Sequence, residues 1–145
     1  MGEQAQGQPC DIILVDDNAD AAAMIAMALE LSGHEVRVCH DAASTLEEAS
    51  RRPASVFILD IGLPDRSGYE LAQELRHDPR TAQATLVAVT GHGSDEDRRK
   101  SQEAGFDRHL TKPVDLEALE HYIEQVETCG PPPPGARSEP PRARL

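Results

Sequence analysis

Val56-Phe57-Ile58-Leu59-Asp60 is a run of four apolar residues that ends abruptly in a carboxylate. A run of this kind, without polar alternation, reads as a strand buried on both faces of a sheet. Ile12–Val15 has the same character, and Val36–Cys39, Leu86–Val89 and a weaker Arg108–Thr111 complete a set of five. Each is followed by a segment with helical features. Ala21–Leu31 sets Met24, Met27, Ala28 and Leu31 on one apolar face, and Gly33 follows as a C-terminal cap. Ser44–Arg52 is stopped by Pro53, and Ser67–His77 is stopped near Pro79. Ser94–Ala104 opens on an N-cap serine with Asp97 three residues on and closes at Gly105. Asp115–Glu127 places Leu116, Leu119, Ile123 and Val126 on one stripe behind Asp115 as N-cap. Five βα units in a row predict an α/β fold: a doubly wound, five-stranded parallel sheet with crossover helices on both faces.

Composition narrows the function classes. The chain has 145 residues, a net charge of −12, 3% aromatic residues and no Trp. That charge opposes binding to a phosphate backbone, and the scarcity of aromatics opposes stacking on single-stranded nucleic acid. No apolar run is long enough to span a bilayer, and Met1–Pro9 is polar, without the apolar core of a signal peptide. Cys10, Cys39 and Cys129 are odd in number and widely spaced, which suits incidental thiols in a reducing cytoplasm better than a disulfide framework or a zinc site. The six histidines are equally scattered. Residues 1–10 read as a flexible N-terminus, 11–128 as one domain and 129–145 as a Pro-rich, disordered tail. Pro131 to Pro134 could also serve a partner as a polyproline II ligand.

In such a sheet, ligands bind in the crevice at the carboxyl ends of the strands. Four of the five strands finish there in polar residues: Asp16-Asp17, Asp60, Thr90 and Lys112-Pro113. Taken singly these are caps, turn residues or solvated surface groups; together they assemble one site. Three carboxylates at close range repel one another, so cations must intervene. A hard divalent ion bound by oxygens, with few protein ligands and room for water, points to Mg²⁺. With Lys112 and Thr90 beside it, such a centre has what phosphoryl transfer needs. Asp60, at the end of a doubly buried strand, is the natural nucleophile, which leaves Asp16 and Asp17 to hold the metal.

Four motifs, ILVDDN (Ile13–Asn18), FILDIGLPDRSGYEL (Phe57–Leu71), VAVTG (Val87–Gly91) and LTKPVD (Leu110–Asp115), stand in an order and at a spacing that resembles the receiver domain of two-component response regulators. The wording of DIGLPDRSGYEL and AGFDRHLTKPVD is also similar to receiver modules of hybrid histidine kinases. The resemblance implies a flavodoxin-like (βα)5 fold with strand order 2-1-3-4-5. It implies that Asp60 accepts a phosphoryl group from a phosphohistidine on a histidine kinase or histidine phosphotransfer protein. Asp17 would ligate Mg²⁺ directly, Asp16 mainly through water, and the backbone carbonyl of Gly62 would add a ligand. Lys112 would pair with the phosphoryl group, and its peptide bond to Pro113 is expected to be cis, as X-Pro bonds permit. Thr90 would bond a phosphoryl oxygen and carry the switch.

Two positions depart from the family. His109 stands three residues before the lysine, where an aromatic ring often turns inward. It can pack or hydrogen-bond there and make the switch pH-sensitive, or face solvent with no signalling role. Gly62, two after the acceptor, has no side chain to modulate water attack, so His92, two after Thr90, is expected to tune the phosphate lifetime. The implied protein is a cytoplasmic signalling module that catalyses its own phosphorylation and dephosphorylation, and its output is a protein contact. By analogy that contact uses the face of the fourth helix, fifth strand and fifth helix. No output domain is expected to fit after residue 127, which leaves a stand-alone receiver acting through partners or a receiver excised from a larger kinase; Met1 and the Pro-rich tail mildly favour the former. Two alternatives share the chemistry: a phosphate sink without activated output, and a Mg-dependent phosphatase of the haloacid dehalogenase type. Against the latter, Gly62 occupies the place of the required second Asp.

Overall fold

A computed structural model describes residues 9–91 and 93–126. The elements alternate strictly: β1 (Asp11–Val15), α1 (Ala19–Leu31), β2 (Glu35–Cys39), α2 (Ala42–Arg51), β3 (Val56–Asp60), α3 (Gly68–His77), β4 (Thr85–Thr90), α4 (Asp95–Ala104), β5 (Arg108–Thr111) and α5 (Leu116–Glu124). All strand pairs are parallel, and the sheet order is β2-β1-β3-β4-β5. The flavodoxin-like order expected from the sequence is therefore observed. The flexible N-terminus, the Pro-rich tail and His92 were expectations about residues outside the described ones.

Two apolar layers flank the sheet, because successive strand residues point to opposite faces. Ile13, Val15, Phe57, Leu59, Leu86 and Ala88 pack against α2, α3 and α4. Ile12, Leu14, Val56, Ile58, Val87 and Val89 pack against α1 and α5. The central strand β3 is buried over its whole length, as its unbroken apolar run requires. Helix starts follow from side-chain caps. Asn18 accepts from Ala21, Asp41 from Ser44, Ser67 from Glu70, Ser94 from Asp97 and Asp115 from Glu117 and Ala118. α1 and α2 consequently begin two residues earlier than hydrophobic periodicity alone indicates. Gly105 ends α4 in the left-handed region at φ 108°, where other residues are strained.

Two sequence readings are corrected. The Met24–Met27–Leu31 stripe does not enter the core: these side chains are 65%, 61% and 84% exposed. Ala22, Ile25, Ala26 and Leu29 face the sheet instead. α1 is apolar on two sides, and the side rich in alanine lets its backbone approach the strands closely. The second correction concerns the thiols. Cys39 is free and buried, whereas Cys10 is disulfide-bonded. Spacing along the chain could not show this. The start of β1 lies against the end of α5, where Cys10 Sγ is 3.9 Å from the Ile123 carbonyl.

Candidate functional site

The carboxyl edge of the sheet brings the expected residues together. Asp16 and Asp17 follow β1, and Asp60 closes β3. One carboxylate oxygen from each lies within 4.8 Å of the others. Asp16 and Asp60 are buried and Asp17 is exposed, so the cluster opens to solvent on the Asp17 side. Local backbone fixes the two buried carboxylates: Asp16 Oδ1 accepts from the Asn18 amide at 2.9 Å, and Asp60 Oδ1 accepts from the Gly62 amide at 3.0 Å. Lys112 Nζ reaches Asp60 Oδ2 at 3.1 Å and Asp16 Oδ2 at 3.8 Å. Its amide donates to the Thr90 carbonyl at 2.8 Å, which ties the lysine loop to the end of β4. The Lys112–Pro113 bond is cis. Thr90 is buried at the end of β4 on this same edge.

Electrostatics follows from that crowding. Burial, reinforced by the charge of Asp60 and only partly offset by the Asn18 amide and Lys112, pushes the Asp16 carboxyl above its usual range. Burial works against the charge on Lys112, but its hydrogen bond to Asp60 and the charges of Asp60, Asp16 and Asp17 outweigh that, and its ammonium titrates above the ordinary lysine value. One lysine cannot neutralise three carboxylates. The donor set is all hard oxygen, partly open to water, and fits Mg²⁺ better than a softer transition metal.

The loop from Asp60 into α3 returns tightly on itself. The Gly68 amide donates to the Ile61 carbonyl at 2.8 Å. A Cβ on Gly68 would stand 2.7 Å from the Asp60 carbonyl oxygen and 2.8 Å from Ile61 Cα, so only glycine allows the approach. Gly62 is exposed beside the Asp60 carboxylate. His109 is not part of the cluster. It is half-buried on β5, and its Nδ1 lies 2.9 Å from Ser101 Oγ on α4, while Nε2 is buried without a partner among the described residues.

Two participants were not legible beforehand. His40 Nδ1 meets the Asp16 carbonyl at 2.9 Å, and Asp65 accepts from two amides of α2. Neither carries a sequence signal, because both contacts depend on how neighbouring loops fold over the sheet edge.

A five-stranded doubly wound parallel sheet with an Asp cluster and a lysine at its carboxyl edge defines an α/β domain of the flavodoxin-like class. The family model "Response regulator receiver domain" matches residues 12–124, and the chain belongs to that family. It is 31% identical over 122 residues to an uncharacterised 14.6 kDa protein of Leptolyngbya boryana, covering 84% of this chain and 93% of that one. It is 36% identical over 119 residues to the phosphate regulon transcriptional regulatory protein PhoB of Pseudomonas aeruginosa, covering 79% of this chain but 50% of PhoB. It is 28% identical to the signal transduction histidine-protein kinase BarA of Escherichia coli, covering 77% of this chain and 12% of the kinase. The chain thus spans half or less of these two larger relatives. Among solved structures, a response regulator of Chloroflexus aurantiacus superposes with TM-score 0.78 at 26% identity, covering 82% of this chain and 98% of that one. The receiver domain of Ssk1 from Saccharomyces cerevisiae, crystallised with the histidine phosphotransfer protein Ypd1, shares the fold with TM-score 0.77 at 23% identity, over 83% and 90% of the two chains. The chain is a receiver domain of two-component signalling.

Proposed function

We propose that this receiver accepts a phosphoryl group on Asp60 from a phosphohistidine donor, in a Mg²⁺-dependent reaction, and passes the signal to a protein partner. The observation that carries the reading is the Asp60 carboxylate, held at once by the Gly62 amide and by Lys112 and crowded by Asp16 and Asp17. Asp16, Asp17, Asp60 and the Gly62 carbonyl would hold the ion. Bound there, Mg²⁺ supplies positive charge that offsets repulsion between the carboxylates and an incoming phosphoryl group. Asp60 attacks in line at phosphorus; the P–N bond to the donor imidazole breaks as the P–O bond forms. Lys112 keeps one Asp60 oxygen oriented and faces the charge that accumulates on the phosphoryl oxygens. Thr90, at the end of the adjacent strand, would bond a phosphoryl oxygen and bias a two-state equilibrium. His109, joined to Ser101, would carry that bias between β5 and α4, and His92 would tune the lifetime. Output through the α4–β5–α5 face remains part of this reading.

The donor is expected to be a histidine kinase or phosphotransfer protein that docks on α1. Ala21, Met24 and Ile25 face Pro113, Val114 and Leu116 across an apolar cavity of about 210 Å³, with Asp16 and Lys112 at its rim. The exposed Met27 and Leu31 continue that surface along the helix. A donor helix laid there would bring its imidazole to the site edge. No helix among the described residues is long and apolar enough to cross a membrane. A cytoplasmic location is part of this reading only through the donor, since phosphohistidine donors act there.

Incubation with acetyl phosphate and Mg²⁺, followed by intact mass, tests the reaction. The expected result is one added phosphoryl group, labile to hydroxylamine and missing in Asp60→Ala. Absence of the adduct together with an unchanged amide spectrum on adding beryllofluoride overturns the proposal.

A further inference from the structure

The first turn of α2 is held by two carboxylates of different origin. Asp41, its own N-cap, accepts from the Ser44 amide at 2.8 Å. Asp65, more than twenty residues further along the chain, accepts from the Ala42 amide through Oδ1 and from the Ala43 amide through Oδ2, both at 2.9 Å. Orphan amides at a helix start are readily satisfied by water. A carboxylate borrowed from the loop after Asp60 does more than satisfy them, because it fixes where that loop lies. The same β2–α2 junction grips the other half of the acidic cluster. His40 Nδ1 meets the Asp16 carbonyl at 2.9 Å, and the Asp16 amide donates to the Cys39 carbonyl at 3.1 Å. Both loops that supply the cluster are therefore fastened to one short segment, Cys39 to Ala43. The amides of Ala42 and Ala43 hold the Asp65 carboxyl below its usual range, so the clamp is ionised at neutral pH.

We infer that Asp65 is a positioning residue of the acceptor site: by bridging to α2 it sets the loop that presents Gly62 to the ion held by Asp16, Asp17 and Asp60. This rests on the Mg²⁺-binding role proposed above. Asp65 touches neither ion nor phosphoryl group; it acts through the backbone from Gly62 to Ser67. Its partner Asp41 provides the control. Asp41 caps the same helix turn and makes no bond to the acceptor loop, so its removal weakens α2 without releasing Gly62.

The experiment is a Mg²⁺ titration of the full chain followed in the amide spectrum, for the parent, Asp65→Ala, Asp65→Asn and Asp41→Ala, with urea midpoints measured in parallel. Asp65→Ala is expected to weaken Mg²⁺ binding about tenfold, the lower end of what supporting partners of metal ligands contribute. It should also shift the Gly62 amide before any ion is added. Asp65→Asn, which keeps one acceptor oxygen, should fall between, and it carries the test if the alanine variant does not fold. Asp41→Ala should lose stability and keep the parent affinity. Unchanged Mg²⁺ affinity in both Asp65 variants, or an equal loss in Asp41→Ala, overturns the inference while the receiver reading stands. A parent protein that binds no Mg²⁺ overturns both.

Discussion

Lys112 Nζ lies 3.1 Å from Asp60 Oδ2 and 3.8 Å from Asp16 Oδ2, so a single ammonium bridges the two buried carboxylates of the cluster. The third, Asp17, is exposed and adds to the negative charge at the opening. Without an ion the site holds more negative than positive charge, and the fold carries that repulsion. Lys112→Ala should therefore lower stability in Mg²⁺-free buffer by about 2 kcal/mol; a fully buried pair would cost more, but this lysine is over a third exposed. Asp60→Asn should raise stability under the same conditions. Mg²⁺ at ten times its dissociation constant should stabilise the parent by about 1.4 kcal/mol and leave Asp60→Asn nearly unaffected. Urea midpoints with and without Mg²⁺ check all three, and a Mg²⁺-insensitive parent would contradict the assignment of the cluster.

Gly68 meets the Asp60 carbonyl oxygen and Ile61 Cα so closely that a methyl group has no room. Both neighbours are backbone and cannot swing aside. Gly68→Ala should cost roughly 1–3 kcal/mol and slow phosphorylation by acetyl phosphate, because the loop must move at Asp60, the acceptor proposed above. Stability within 0.5 kcal/mol of the parent, an estimate of a neutral surface change, would show that the loop relaxes freely.

His34 gives a pH dependence of known sign. It is buried, its Nδ1 accepts the Cys10 amide at 3.0 Å, and burial lowers its pKa despite Glu124 and Glu120 nearby. The unfolded chain takes up a proton near pH ~6.5 while the folded chain resists. His34 thus costs nothing above that pH, and stability falls as pH drops below it towards the lowered native value. His34→Gln, which can accept the same bond and does not titrate, should flatten the dependence between about pH 7 and 5. A parallel curve for both proteins would refute the assignment.

The exposed stripe on α1 separates two kinds of phosphoryl donor. Leu31→Glu and Met27→Glu lie away from the acidic cluster and alter only surface. Transfer from a phosphohistidine protein should fall at least about tenfold, the loss of one buried apolar anchor. Transfer from acetyl phosphate should be unchanged. Equal rates with the protein donor would move the docking surface off this helix.

Ser101 and His109 join α4 to β5 through one hydrogen bond. Since His109 Nε2 already lacks a partner among the described residues, Ser101→Ala leaves the whole ring unpaired. A cost of about 1–2 kcal/mol is expected, with α4 amides exchanging faster in the unphosphorylated protein. Unaltered exchange in α4 would mean that the bond does not restrain the helix.

Most of the fold was legible in advance because its signals are local. Short β-branched apolar runs such as Ile12–Val15 and Val56–Leu59 suit doubly buried strands, and the caps Asn18, Ser67, Ser94 and Asp115 each act within one helical turn. The strand-end residues were legible for a related reason: once the strands are parallel, every carboxyl end falls on the same edge, so Asp16, Asp17, Asp60, Thr90 and Lys112 must share it. The faces of α1 were misread because both are apolar, and a helical wheel cannot tell which one is small enough to lie close to the sheet. The sequence alone therefore determined the element order, the parallel sheet and which strand-end residues share its carboxyl edge. Only the tertiary structure decided which face of α1 is buried, that Cys10 meets the end of α5, that His109 turns to Ser101, and that Asp65 and His40 bind two loops to one junction. Those relations join residues far apart in the chain, and their geometry is set by packing, on which no local preference reports.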